Sequence, residues 1–191
     1  MRTFLAIELP EIYQEDIREV QERLKERIKG VKWVKADNVH LTLKFLGEIT
    51  EAQAEEICRV TSQVTRGHVR FPVQLKGVGV FPDLRRPRVI FLALSQGEYE
   101  VVALEKELSD SLEKIGFPRE KRAFHPHFTV GRFKALKPGG ELSRVVADFS
   151  NYQREPFVAR GVTLFKSELR PEGAQYTRLA QFELGGEEDA R

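Results

Sequence analysis

Apolar and polar positions change period along this chain, and the changes divide it into strands and helices. Phe4, Ala6 and Glu8 alternate with Leu5, Ile7 and Leu9, so residues 3–9 predict a buried strand. Pro10 stands where a helix can begin, Ile17, Val20, Leu24 and Ile28 follow at helical spacing, and Gly30 supplies the stop. Over 39–45 the alternation is clean. Val39, Leu41, Leu43 and Phe45 share one face, and His40, Thr42 and Lys44 share the other. Gly47 ends that strand. Thr50 and Gln53 then have capping-box spacing ahead of an apolar stripe of Ala54, Ile57, Cys58 and Val64.

A second cycle follows. Residues 71–80 and 87–95 predict strands separated by the turn-rich segment Pro82-Asp83-Leu84-Arg85-Arg86. Ser95 and Glu98 again have capping-box spacing, with Val101, Leu104, Leu108 and Ile115 at helical spacing and Gly116 and Pro118 as stops. Residues 127–133 predict a strand, Lys137-Pro138-Gly139-Gly140 a loop, and 141–147 a short helix. Two last strands, 157–166 and 175–184, flank a turn at Pro171-Glu172-Gly173. Strands outnumber helices, and several follow one another without a crossover helix. The pattern predicts an antiparallel α+β domain over 1–184, with 185–191 as a frayed tail.

At 191 residues, with 41% hydrophobic and 31% charged positions, the chain fits one globular domain of two small lobes. A net charge of +2 permits a polyanionic partner without demanding one. The one cysteine excludes an intramolecular disulfide and a cysteine-built zinc site, and Cys58 reads as a small core residue on its helix stripe. No apolar run reaches the length of a membrane span, and the N-terminus carries no signal-peptide pattern, so a cytoplasmic location is expected.

The chemistry concentrates in two tetrapeptides. His40-Leu41-Thr42-Leu43 and His127-Phe128-Thr129-Val130 both read His, apolar, Thr, apolar, about half a chain apart, in a sequence with only four histidines. In a strand, residues i and i+2 face the same side, so each copy presents an imidazole and a hydroxyl together. Two facing copies suit a phosphodiester. One imidazole takes a proton from water, the other gives one to the leaving oxygen, and the hydroxyls donate to the non-bridging oxygens. No metal or other cofactor is required.

These motifs resemble the signatures of the two-histidine phosphoesterase superfamily, and the longer context resembles its RNA 2′,3′-cyclic phosphodiesterases, also called 2′-5′ RNA ligases. The matching stretches are Phe4–Ile7, Asn38–Glu48, Gly79–Pro82, Pro126–Arg132 and Ser167–Gly173 leading to Tyr176 and Leu179. The resemblance implies a bilobed α+β fold, in which two antiparallel sheets with outer helices, related by a pseudo-twofold, flank a central cleft. It implies hydrolysis of a terminal 2′,3′-cyclic phosphate to a 2′-phosphomonoester, and in reverse an ATP-independent 2′-5′ joining. By the family pattern His40 is the general acid, His127 the general base, and Thr42 and Thr129 hold the phosphate. Phe45 and Arg132, each five residues after its histidine, are candidates for holding the terminal nucleotide. Simple alternation puts both on the far face, so reaching the cleft needs a twist or bulge, for which Gly47 and Gly131 are well placed. The implied partner is RNA with a cyclic phosphate end, tRNA fragments among the candidates, with no membrane and a monomeric protein.

Other residues and other functions stand beside this reading. His125 shares a strand face with His127 and reads as a rim residue; His68 reads as a loop residue, and Lys44 as a solvated neighbour of His40. The basic runs Arg85–Arg88 and Arg119–Arg122 could guide an RNA backbone. The alternatives are a non-catalytic RNA-end-binding module, a phosphodiesterase of small cyclic nucleotides, and a metal hydrolase using His125 and His127. No Asp/Glu cluster beside those two histidines supports the last.

Overall fold

The computed structural model describes residues 1–134 and 141–185. In chain order the elements are β1 (Arg2–Glu8), α1 (Gln14–Lys25), β2 (Val31–Trp33), β3 (His40–Glu48), α2 (Glu51–Arg66), β4 (Phe71–Phe81), β5 (Val89–Gln96), α3 (Glu98–Glu113), β6 (Phe128–Phe133), α4 (Leu142–Asp148), β7 (Phe157–Ala159), β8 (Gly161–Arg170) and β9 (Gly173–Glu183). The expected loop at Lys137–Gly140, and all of the expected tail but Gly185, lie outside the described residues.

Every strand pairing between these elements is antiparallel. One sheet has the order β3-β1-β8-β9 and the other β2-β6-β5-β4-β7. The α+β class and the two antiparallel sheets are as expected. α2 packs on β8 and β9 of the first sheet, and α3 packs on β3 and β5. The buried apolar side chains of both sheets and all four helices form one contiguous cluster. A second, small cluster of Phe4, Ala6 and Phe165, with Tyr176 against it, lies on the open face of the first sheet.

Local chemistry explains most boundaries. Thr50 caps α2 with both bonds of the capping box, Gln53 N–H to Thr50 Oγ1 at 3.2 Å and Thr50 N–H to Gln53 Oε1 at 2.9 Å. Such a cap contributes about 1 kcal/mol. Pro10 opens a 3-10 turn at Glu11–Tyr13, and α1 begins only after it. The box expected at Ser95 is absent. Ser95 remains in β5, where its hydroxyl donates to Gln74 Oε1, and Gly97 caps α3 in the left-handed conformation at φ 87°. A side chain there would meet the Pro72 carbonyl oxygen at 2.5 Å as well, so glycine is doubly required.

Two further expectations are corrected. The single strand over 157–166 is two strands in different sheets. β7 pairs with β4, the chain steps across at Arg160, and β8 pairs with β1. β2 was not foreseen, because three residues carry too little alternation to register. It pairs with β6 and continues the second sheet past the second histidine motif. β3 is an edge strand of its sheet, and β3 and β6 lie directly against each other. The two histidine motifs therefore meet where the sheets meet.

Candidate active site

His40 opens β3, and His127 immediately precedes β6. The two rings are anchored in the same way. His40 Nδ1–H donates to the Asn38 carbonyl oxygen at 2.7 Å, and His127 Nδ1–H donates to the His125 carbonyl oxygen, also at 2.7 Å. A carbonyl only accepts, so Nδ1 carries the proton in both rings and Nε2 is left to exchange one. Thr42 Oγ1 lies 2.9 Å from His40 Nε2. In the neutral ring the hydroxyl donates to that nitrogen.

Aromatic rings hold both imidazoles. Phe4 stacks on His40 with centroids 4.7 Å apart, and Tyr176 meets it edge-on at 5.3 Å. Phe81 and Phe91 meet His127 edge-on at 4.9 and 5.3 Å. Phe91 in turn lies over Gly79, its cross-strand partner, and stacks on Phe81 at 4.2 Å. The reading of the sequence missed Phe91 and Phe165, and used Phe4, Phe81 and Tyr176 only as parts of matching stretches. Their signal was placement. Phe4 and Phe91 stand on the strands beside the motif strands, and Phe165, Tyr176 and Phe81 on strands farther across the same two sheets.

Bulges decide the fate of the residues beyond each motif. Along β3, Ala6 pairs with Thr42 and Leu5 with Lys44, so Leu43 is an extra residue. Along β6, Phe91 pairs with Thr129 and Ile90 with Gly131, so Val130 is an extra residue. Each bulge reverses the alternation after it. Phe45 therefore comes to the histidine face, where it is 54% exposed and its ring is 6.1 Å from Phe4. Arg132 comes to the same face as Thr129. The expected bulges exist, but at Leu43 and Val130 rather than at the glycines; a second irregularity at Leu46 adjoins Gly47. The same reversal corrects Lys44. It is buried at 2% exposure on the core face, with Nζ donating to the Pro118 carbonyl oxygen at 2.8 Å. Gly131 serves a different need: a Cβ there would lie 2.6 Å from Val31 Cγ1.

Electrostatics ties the two imidazoles and Arg132 together. Burial pushes the His40 imidazole down to about 4, and the charges of Arg132 and His127 push the same way; its carbonyl partner at Asn38 and the Glu8 carboxylate oppose them. His127 is also lowered, by burial first and then by Arg132 and His125, against its bond to the His125 carbonyl. Arg132 thus faces both imidazoles, and each imidazole belongs to a different sheet. Glu8, the cross-strand partner of His40, is held by Arg178 through two bonds of 2.7 and 3.0 Å. A groove of about 780 Å³ leads away from His40 between that ion pair, Phe165, Tyr176 and Thr163.

The remaining candidates fall outside this set. His125 is exposed at the rim, 6.1 Å from Phe81. His68 lies in the bend after α2 with Nε2 2.7 Å from Glu107. Arg85, Arg86 and Arg88 are exposed on the β4–β5 loop, whose backbone Asp83 fixes by accepting from the Arg85 and Arg86 N–H groups. Arg119 is paired with Asp110 and Glu113. Cys58 packs partly buried against the core. Among the described residues, no three His, Cys, Asp or Glu side chains gather where they could hold a metal ion, and no helix is long and apolar enough to cross a membrane.

Known proteins resemble this chain in sequence and in fold. The family described as LigT-like phosphoesterases matches residues 7–91 and 94–176. An RNA 2′,3′-cyclic phosphodiesterase of Aquifex aeolicus is 36% identical over 175 residues, covering 89% of this chain and 92% of that protein. A crystal structure of a Thermus thermophilus protein superposes with a TM-score of 0.80 at 29% identity, over 98% of this chain and 100% of the other. Escherichia coli LigT complexed with 3′-AMP superposes with a TM-score of 0.74 at 26% identity, over 96% and 97% of the two chains.

Proposed function

This chain belongs to the LigT-like phosphoesterase family, and from that premise we propose that it hydrolyses the 2′,3′-cyclic phosphate at an RNA end to a 2′-phosphomonoester. The observation that carries the reading is the matched pair of imidazoles, each with Nδ1 tied to a carbonyl two residues back and Nε2 left for proton transfer.

His127 Nε2 takes a proton from a water as that oxygen bonds to phosphorus. The bond from phosphorus to the 3′ oxygen breaks on the opposite side, and His40 Nε2–H gives that oxygen its proton. Thr42 and Thr129 donate hydrogen bonds to the non-bridging oxygens, and Arg132 offsets the charge that grows there. Phe45 offers its exposed ring to the terminal base. The aromatic rings packed on both imidazoles hold them in place for that transfer. With a ribose 5′ hydroxyl in place of water as the nucleophile, its proton taken by His127 and the 3′ oxygen again protonated by His40, the same groups join two RNA ends through a 2′-5′ linkage without ATP.

The test is incubation of a short RNA bearing a 2′,3′-cyclic end, in excess chelator, with 2′- and 3′-monophosphate products resolved. The 2′-monoester is expected. A 3′-monoester, or binding without turnover, overturns the proposal.

A further inference from the structure

One polar side chain stands on the apolar face of α1. The buried positions of that helix are Ile17, Val20, Gln21 and Leu24, and Gln21 is only 5% exposed. A buried amide is costly unless its hydrogens are taken up, and here both find carbonyls. Gln21 Nε2 donates to the Val34 carbonyl oxygen at 2.6 Å and to the Val130 carbonyl oxygen at 3.0 Å. Val34 N–H donates to the same Val130 oxygen at 3.0 Å, so that carbonyl has a donor for each lone pair.

Val130 is the extra residue of the β6 bulge, the irregularity that brings Arg132 to the face of Thr129. Val34 directly follows β2, the neighbour of β6. We propose that Gln21 is a positioning residue for the cleft: its amide clamps the Val130 bulge to the end of β2 and so sets where Arg132 and Thr129 present themselves to the phosphate. Unclamped, the half-buried Val34 carbonyl loses the donor that Gln21 gives it and the Val130 carbonyl keeps only the Val34 N–H, so the bulge is held less firmly and β6 is freer to slide back toward regular pairing. That slide returns Arg132 to the far face, because a shift of one residue reverses every side chain beyond it.

The kinetic part of this inference rests on the cyclic phosphodiester reading above; the geometric part does not. Its measurement is therefore titration of the imidazoles by NMR, beside turnover. Arg132, Glu8 and His127 face His40, and Arg132 and His125 face His127. In Gln21→Met, which keeps length and apolar packing but removes the donors, withdrawal of Arg132 raises the titration midpoints of both rings. The rise matches that of Arg132→Met, and the double variant rises no further. kcat/KM on cyclic-ended RNA falls at least tenfold in each single variant, and the double variant is no slower than Arg132→Met. In the wild-type protein the Gln21 side-chain amide protons exchange with solvent far more slowly than those of exposed Gln175, a result that needs no variant to fold. Unchanged midpoints in Gln21→Met, additive effects in the double variant, or fast exchange of the Gln21 amide overturn the inference. A wild-type protein without turnover but with these midpoint shifts overturns the phosphodiester reading and upholds the clamp.

Discussion

Leu43 and Val130 occupy equivalent places, each three residues past a motif histidine and each the unpaired residue of a β-bulge. The two lobes thus repeat more than a tetrapeptide. Each repeats a histidine tied to the carbonyl two residues back, a threonine on the same face, and a reversal that delivers the fifth residue to the cleft. The fifth residue differs, Phe45 in one lobe and Arg132 in the other. An almost symmetric frame thereby presents an apolar plate on one side and a cation on the other.

The His127 cage depends on the missing side chain of Gly79. A Cβ there would lie 2.4 Å from Cζ of Phe91, whose ring supports both Phe81 and His127. Gly79→Ala forces that ring aside and is expected to destabilise the protein by about 1–3 kcal/mol, the usual cost of overpacking. Urea unfolding measures it. Phe91→Leu in the same chain restores most of the stability but not the activity, because the ring edge against His127 is lost.

Burial of His40 has a consequence for stability in acid. Its folded value of about 4 lies below the ordinary 6.5 of an unfolded chain. Between those values the unfolded state binds a proton that the folded state refuses. Stability therefore falls as pH drops from about 6.5 to about 4, by at most about 3 kcal/mol and by less where water reaches the ring. His127 adds a loss of the same sign as pH falls below 6.5. Denaturant unfolding at a series of pH values is expected to show this slope, and His40→Gln to flatten it.

How much of this was legible in the sequence follows from the period of each signal. The repeated His-x-Thr spacing located both hydroxyls and both imidazoles, because i and i+2 share a strand face whatever the register. The Thr50–Gln53 cap and the stripe of α2 were legible because a capping box and a helix face each have their own fixed spacing. A bulge leaves no such mark: one unpaired residue in a run of six shifts the phase without changing the composition. Lys44 was accordingly assigned to the wrong face, and the glycines were credited with bulges that sit at Leu43 and Val130. β7 and β8 read as one strand because Arg160 interrupts the pairing and not the alternation. Gln21 carried a readable signal, a polar residue on a helix's buried stripe, and only the carbonyls it reaches give that signal a meaning.

The depressed imidazoles also predict the rate profile. One ring must be neutral and the other protonated, so kcat/KM falls on both sides of an optimum. Both free-protein values lie below 6.5, so the optimum in kcat/KM is expected on the acid side of 6.5. The bound phosphate anion stabilises each imidazolium, so the optimum in kcat lies at higher pH. Initial rates across pH at low and saturating RNA separate the two. A kcat/KM optimum above 7 contradicts the electrostatics described.

The central claim is that two imidazoles, one from each sheet, act on a single phosphorus. The most direct measurement is single-turnover conversion of a cyclic-ended RNA by His40→Ala and His127→Ala, each verified as folded by its unfolding curve. Each variant is expected to be slower by about 10²–10⁴-fold, the range that a positioned acid or base supplies. The double variant is expected to be little worse than the poorer single one. Turnover near the wild-type rate in either single variant contradicts the account.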